Sequence, residues 1–204
     1  ASKASNERLR FFYQDPLYDG LLEVSRRPSR VSAETVSFTR LDREVQQTHL
    51  EATLEITGGG LRTIDVLLSE SAGENLRFRM LGTDARIVEQ LPGNVAEGLR
   101  NWTLKLDRRV LGTVTLAVTA TTPRADETEF TPHVVGIRSA ERINGVVAVE
   151  GAADQQLQFK ATGDDGVSLT AVEPIDVPVP QLYAPQERIV AAWQYTLPGY
   201  SISL

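Results

Sequence analysis

Residues 49–68, HLEATLEITGGGLRTIDVLL, alternate apolar and polar side chains on both sides of three consecutive glycines. Leu50, Ala52, Leu54 and Ile56 take the even positions and Glu51, Thr53, Glu55 and Thr57 the odd ones; Ile64, Val66 and Leu68 resume the even series. A period of two puts one face of a strand on a core and the other in water. A phosphate-cradling glycine loop needs a strand before it and a helix after it, so that free N–H groups face the anion. The residues after Gly60 instead alternate, and no Gly-Lys-Ser/Thr follows. Gly58–Gly60 is therefore expected to be the bend of a hairpin, with Leu54, Ile56, Ile64 and Val66 pointing into one core.

The same period recurs in Trp102, Leu104, Leu106 and in Val114, Leu116, Val118. Shorter apolar stretches lie at 21–26, 35–41, 76–80, 85–90, 134–138, 146–150, 157–161, 167–171, 189–195 and 200–204, separated by Gly, Pro, Asn and Asp turn signals. This spacing predicts an all-β fold, an antiparallel β-sandwich of Ig-like or jelly-roll-like type. Helix is expected only as a short N-terminal piece over Ser5–Tyr13 and a single turn over Asn94–Arg100. A polar, acidic, proline-bracketed stretch at 123–132 divides the expected organisation. An extension or short helix (1–15) precedes a β-sandwich unit (16–122), and after the linker a second, smaller β unit (133–204) packs with the first. Residues 173–181 carry three prolines, which cannot donate to a central ladder, so a surface crossing or edge strand is expected there.

Bulk properties narrow the function classes. Net charge is −6, from 21 basic and 27 acidic residues, which disfavours nonspecific attraction to nucleic acid or anionic lipid. No apolar run reaches the roughly 20 residues of a membrane-spanning helix. With no cysteine, disulfides, thiolate zinc sites and cysteine nucleophiles are excluded. The chain begins without methionine and stops within the alternating Tyr200-Ser-Ile-Ser-Leu204, so a piece of a larger protein is expected.

Chemistry-bearing residues are sparse. The two histidines, His49 and His133, fall beside or within strand patterns, far apart in sequence and without a Gly-x-Ser-x-Gly elbow. They are expected to be exposed structural residues, and no catalytic residue or cofactor is assigned. Carboxylate pairs such as Glu51/Glu55 arise readily on solvated strand faces, and a glycosidase-type separation is not readable from sequence. Asp164 and Asp165, inside Gly163-Asp-Asp-Gly166, supply oxygens of the kind Ca²⁺ takes, but the stretch lacks the twelve-residue loop spacing and reads equally as a turn. Trp193, Tyr195 and Tyr200 are the one binding clue: aromatic rings that stack on sugars if exposed, or core if buried. Asn101-Trp-Thr103 is a glycosylation sequon, meaningful only in a eukaryotic secretory host.

Three patterns stand in order: the alternating stretch 49–68; Trp102-Thr-Leu-Lys-Leu-Asp with Val110-Leu-Gly-Thr-Val-Thr-Leu-Ala-Val; and Ile143-Asn-Gly-Val-Val-Ala-Val-Glu with the terminal stretch 191–204. Together, over about residues 30–204, they resemble the β-rich modules of large, uncharacterised bacterial envelope-associated proteins. The resemblance implies an extracytoplasmic setting (periplasm, cell surface or secreted) and a noncatalytic structural or interaction role. Its partners would be neighbouring modules or subunits of one assembly, with a glycan held by the C-terminal aromatics as the alternative. It carries over no functional residue.

Overall fold

The structure is a computed structural model and describes residues 12, 14, 25, 27–42, 44–123, 131–152, 159–163, 169–196 and 200–203. Nearly all of the expected N-terminal extension (1–15), most of the linker, and Asp164 and Asp165 lie outside the described residues. The strands are β1 (Arg30–Leu41), β2 (Val45–Ser69), β3 (Leu76–Leu81), β4 (Ile87–Ala96), β5 (Leu99–Pro123), β6 (Val135–Ile137), β7 (Arg142–Gly151), β8 (Lys160–Gly163), β9 (Thr170–Ala171), β10 (Arg188–Tyr195) and β11 (Tyr200–Ser203).

The all-β expectation holds. Nine strands form one sheet in the order β3-β5-β2-β1-β7-β10-β9, with β4 also on β5 and β6 also on β2; β8 and β11 make a separate pair. The sheet is mixed rather than wholly antiparallel as expected, because β1 and β7 run parallel, Ser32 beside Arg142 through Arg40 beside Glu150. Strands from both sides of residues 123–132 thus hydrogen-bond within one sheet. Parallel neighbours need a long crossover, here the whole stretch between Leu41 and Arg142, and strand alternation carries no record of it.

The glycine triplet is not a hairpin bend. Gly58–Gly60 lie inside the 25-residue strand β2, whose partner β5 is equally long. Pairing of the two is interrupted between Ile56 and Leu61 and again between Leu61 and Thr63. Gly58 and Gly60 have positive φ (79° and 70°), as does Gly112 on β5 (86°). Such a bulge bends the strand without reversing it. The triplet also seats the chain before β1: a Cβ on Gly58 would run into the carbonyl oxygen of Pro28, and one on Gly59 into that of Arg27. Ser29 Oγ donates to Gly60 O (2.7 Å), and Arg109 Nη1 reaches Gly60 O (3.0 Å) from β5.

Because the strand bends and goes on, even residues on both sides of the triplet keep one face. Leu54, Ile56, Ile64 and Val66 are all buried in a single core with Trp102, Leu104, Leu106, Val114, Leu116 and Val118. The expected helical turn at Asn94–Arg100 is instead the tight connection of the β4–β5 hairpin, with Glu97 (φ 53°) and Gly98 (φ 72°) both left-handed. Two left-handed residues match the twist of paired strands.

On the front face, Gly145 of β7 lies under the ring of Tyr195 on β10. A Cβ there would overlap the ring and Thr35 Oγ1. On the back face of β1, β7 and β10, Val36, Phe38, Ala148 and Ala192 form a second apolar cluster with Val177 from the segment that covers them. Residues 172–187 cross it as a strap with a short 3-10 turn at Pro174–Asp176, so the proline-rich stretch is the expected surface crossing.

Candidate functional site

Two carboxylates under the strap hold it in place. Glu51 sits on the odd, outward face of β2, where alternation predicts solvent, yet it is only 4 % exposed. Its Oε2 accepts from the Gln181 N–H and its Oε1 from the Leu182 N–H, both at 2.6 Å. Glu150 ends the apolar run of β7 and is fully buried. It accepts from the Tyr183 hydroxyl (2.6 Å) and from the N–H groups of Gln186 (2.9 Å) and Glu187 (3.1 Å). Buried carboxylates are tolerated when donors surround them. Burial and the hydroxyl's bond to Glu150 raise the Tyr183 pKa well above the ordinary tyrosine value.

His49 joins the anchor to the open part of the back face. Its Nε2 is 3.0 Å from Glu51 Oε1 and its Nδ1 3.1 Å from Thr119 Oγ1. Its ring stacks on Tyr183, centroids 4.9 Å apart and 15° from parallel. Hydroxyl, imidazole and carboxylate stand in the order of a nucleophile relay. Here, however, Glu51 gives both oxygens to main-chain N–H groups of the strap, and the chain of contacts anchors that strap.

Register extends this row to the sheet edge. Thr119 lies opposite both His49 and Arg77, while Ala117 lies opposite both Glu51 and Arg79. Arg77 and Arg79 are two residues apart on β3, hence on one face, and both are exposed. Between these arginines and the strap residues Leu182, Tyr183 and Gln186 runs a groove of about 280 Å³.

The predicted site residues fall elsewhere. Trp193 and Tyr195 are 8 % and 1 % exposed. Trp193 packs edge-on against Phe159, centroids 5.3 Å apart, and the Tyr195 hydroxyl pairs with Thr35 Oγ1 at 2.8 Å. Burial pushes the Tyr195 pKa up to about 12. Both rings are core, so neither presents a face for sugar stacking. The Tyr200 backbone pairs with Gly163 between β11 and β8. Asn101 of the sequon lies near the start of β5, its Nδ2 3.3 Å from Thr103 Oγ1, and Thr103 donates to Asp65 Oδ1 (2.7 Å).

Neither histidine is exposed, contrary to expectation. His133 is 3 % exposed, with Nδ1 3.1 Å from Ser71 Oγ and Nε2 3.2 Å from Thr122 Oγ1. Burial alone lowers its pKa to about 4. Among the described residues no three His, Cys, Asp or Glu side chains cluster to hold a metal. Sequence reasoning weighs Glu51 only as half of a solvated Glu51/Glu55 pair, and it does not single out Glu150, Tyr183 or the arginine pair as site residues. The one available signal was Glu150, a carboxylate closing the apolar run Val146-Val-Ala-Val.

Fold and groove define the class: an all-β protein with one bent, mixed sheet and a strap pinned across its back face. In comparison with known proteins, no family model matches this chain and no curated protein matches it.

Proposed function

We propose that this chain is a noncatalytic interaction module of a larger extracytoplasmic protein, pairing with another copy of the module through a sheet edge. The observation that carries this reading is β4. Among the described residues it pairs only with β5, every residue after Ile87 is exposed, and Val88, Leu91 and Val95 are large apolar side chains in water. A free strand edge offers unpaired N–H and C=O groups, whose fitting partner is another extended strand.

The β4 sequence is self-complementary in an antiparallel register. Val88 then faces Val95, Glu89 faces Asn94, and Leu91 faces Pro92, so apolar residues meet and no like charges oppose each other. Such an isologous pairing closes as a dimer. Pro92 has no N–H, which confines pairing to the groups on either side of it. The extracytoplasmic setting rests on the strand-pattern resemblance.

Sedimentation velocity of the 204-residue chain tests the pairing. Mass is expected to rise with concentration toward twice 22.4 kDa, and Leu91→Asp to hold it at the single-chain value. A wild-type chain that stays at 22.4 kDa up to its solubility limit overturns the proposal.

A further inference from the structure

We infer that the groove between β3 and the strap binds an acidic saccharide, taking its carboxylate on Arg77 and Arg79. This site is separate from the β4 edge, and the inference does not depend on pairing there.

The arginines supply the charge. Neither has an acidic group within ion-pair distance among the described residues, whereas Arg30, Arg40, Arg100 and Arg108 each do. Glu51, the acid opposite the Arg79 row, is turned into the strap by its two N–H donors and His49. Two forked cations on one face, in a protein of net charge −6, make a local anion site against the overall field. Guanidinium groups match a carboxylate through paired N–H donors.

The remaining lining argues for a sugar over a bare anion. Gln47, Thr119 and Gln186 bring amide and hydroxyl groups to the groove, and Leu182 with the Tyr183 edge adds an apolar wall. Amide and hydroxyl groups around a partly apolar surface suit a ring with hydroxyls at its rim. The volume, about 280 Å³, suits one or two sugar units. The floor is rigid, because His49 and Tyr183 are stacked and each is hydrogen-bonded to a buried carboxylate. A preformed floor reduces the ordering cost of binding.

The test is a two-dimensional NMR titration of the whole chain with sodium glucuronate, glucose and inorganic phosphate at matched ionic strength. Glucuronate is expected to shift the His49 ring and Arg77 and Arg79 side-chain signals saturably, and more tightly than phosphate; glucose should leave them in place. Binding should weaken by at least roughly tenfold in R77Q/R79Q, since charge-assisted bonds are lost. Both side chains are exposed, and an unchanged amide spectrum away from β3 establishes that the variant is folded. Raising salt should weaken wild-type binding independently of any variant. No saturable shift with glucuronate, or equal affinity in R77Q/R79Q, overturns the anion site. Phosphate binding as tightly as glucuronate overturns the saccharide assignment.

Discussion

Acid should unfold this protein partly through one side chain, His133. Its ring is buried between Ser71 and Thr122, and burial is the cause that lowers its pKa from 6.5 to about 4. Both neighbours are hydroxyls, able to accept from a charged ring as well as pair with a neutral one, so the cost of protonation is lost hydration. The folded state therefore resists a proton that the unfolded chain accepts. Above pH 6.5 both states hold a neutral ring and His133 costs nothing. As pH falls from 6.5 to about 4 the unfolded state binds the proton first and stability drops. At about 1.4 kcal/mol per pH unit the loss is about 1 kcal/mol at pH 6, 2 at pH 5 and 3 at pH 4. It levels off below that, where the folded state is protonated too. The assay is urea unfolding at closely spaced pH values for wild type and His133→Gln. Whatever the substitution costs at neutral pH, the gap between the two stability curves should close by about 3 kcal/mol between pH 7 and pH 4. Parallel curves would refute the reasoning.

Three further outcomes follow from the packing. Gly145→Ala places a methyl group in the Tyr195 ring and Thr35 hydroxyl, and should cost about 1–3 kcal/mol in chemical unfolding. A double-mutant cycle with Tyr195→Ala should show that cost largely relieved, and strict additivity would argue against it. Glu150→Ala strips the Tyr183 hydroxyl and two strap N–H groups of their acceptor, for at least about 3 kcal/mol. Amide exchange across 181–187 should rise sharply, and unchanged protection there would show that the strap is held by something else. Gly59→Ala, at ordinary φ, isolates the close approach of Arg27 from backbone strain; about 1–3 kcal/mol is expected, read as a lowered melting temperature, and an unshifted transition would remove the seat.

Local pattern and long-range packing divide what was legible along the chain. Alternation named the core face: Leu54, Ile56, Ile64, Val66, Trp102, Leu104, Leu106, Val114, Leu116 and Val118 are all buried together. A side chain's face is set by its own strand's pleat, so neighbouring residues suffice to read it. The same reasoning failed at Gly58–Gly60, because glycines with positive φ serve a reversing turn and a bulge alike. What distinguishes them here is the partner strand β5, bent at Gly112, and the chain at 27–29 lying on the triplet.

The arrangement belongs to that second category too. Alternation places Glu51, His49 and Thr119 on an outer face, and only the strap, more than a hundred residues beyond Glu51, turns part of that face into an interior. Trp193 and Tyr195, the apparent binding aromatics, became core through strand order, with β10 beside β7 and Gly145 small enough to admit a ring. The amino-acid sequence by itself determined strands, their inward faces and a chain without thiol chemistry, since these depend on residue type and period two. Tertiary structure alone decided the parallel β1–β7 pairing, the strap on its two carboxylates and the arginine groove, because each joins residues whose sequence separation leaves no periodic trace.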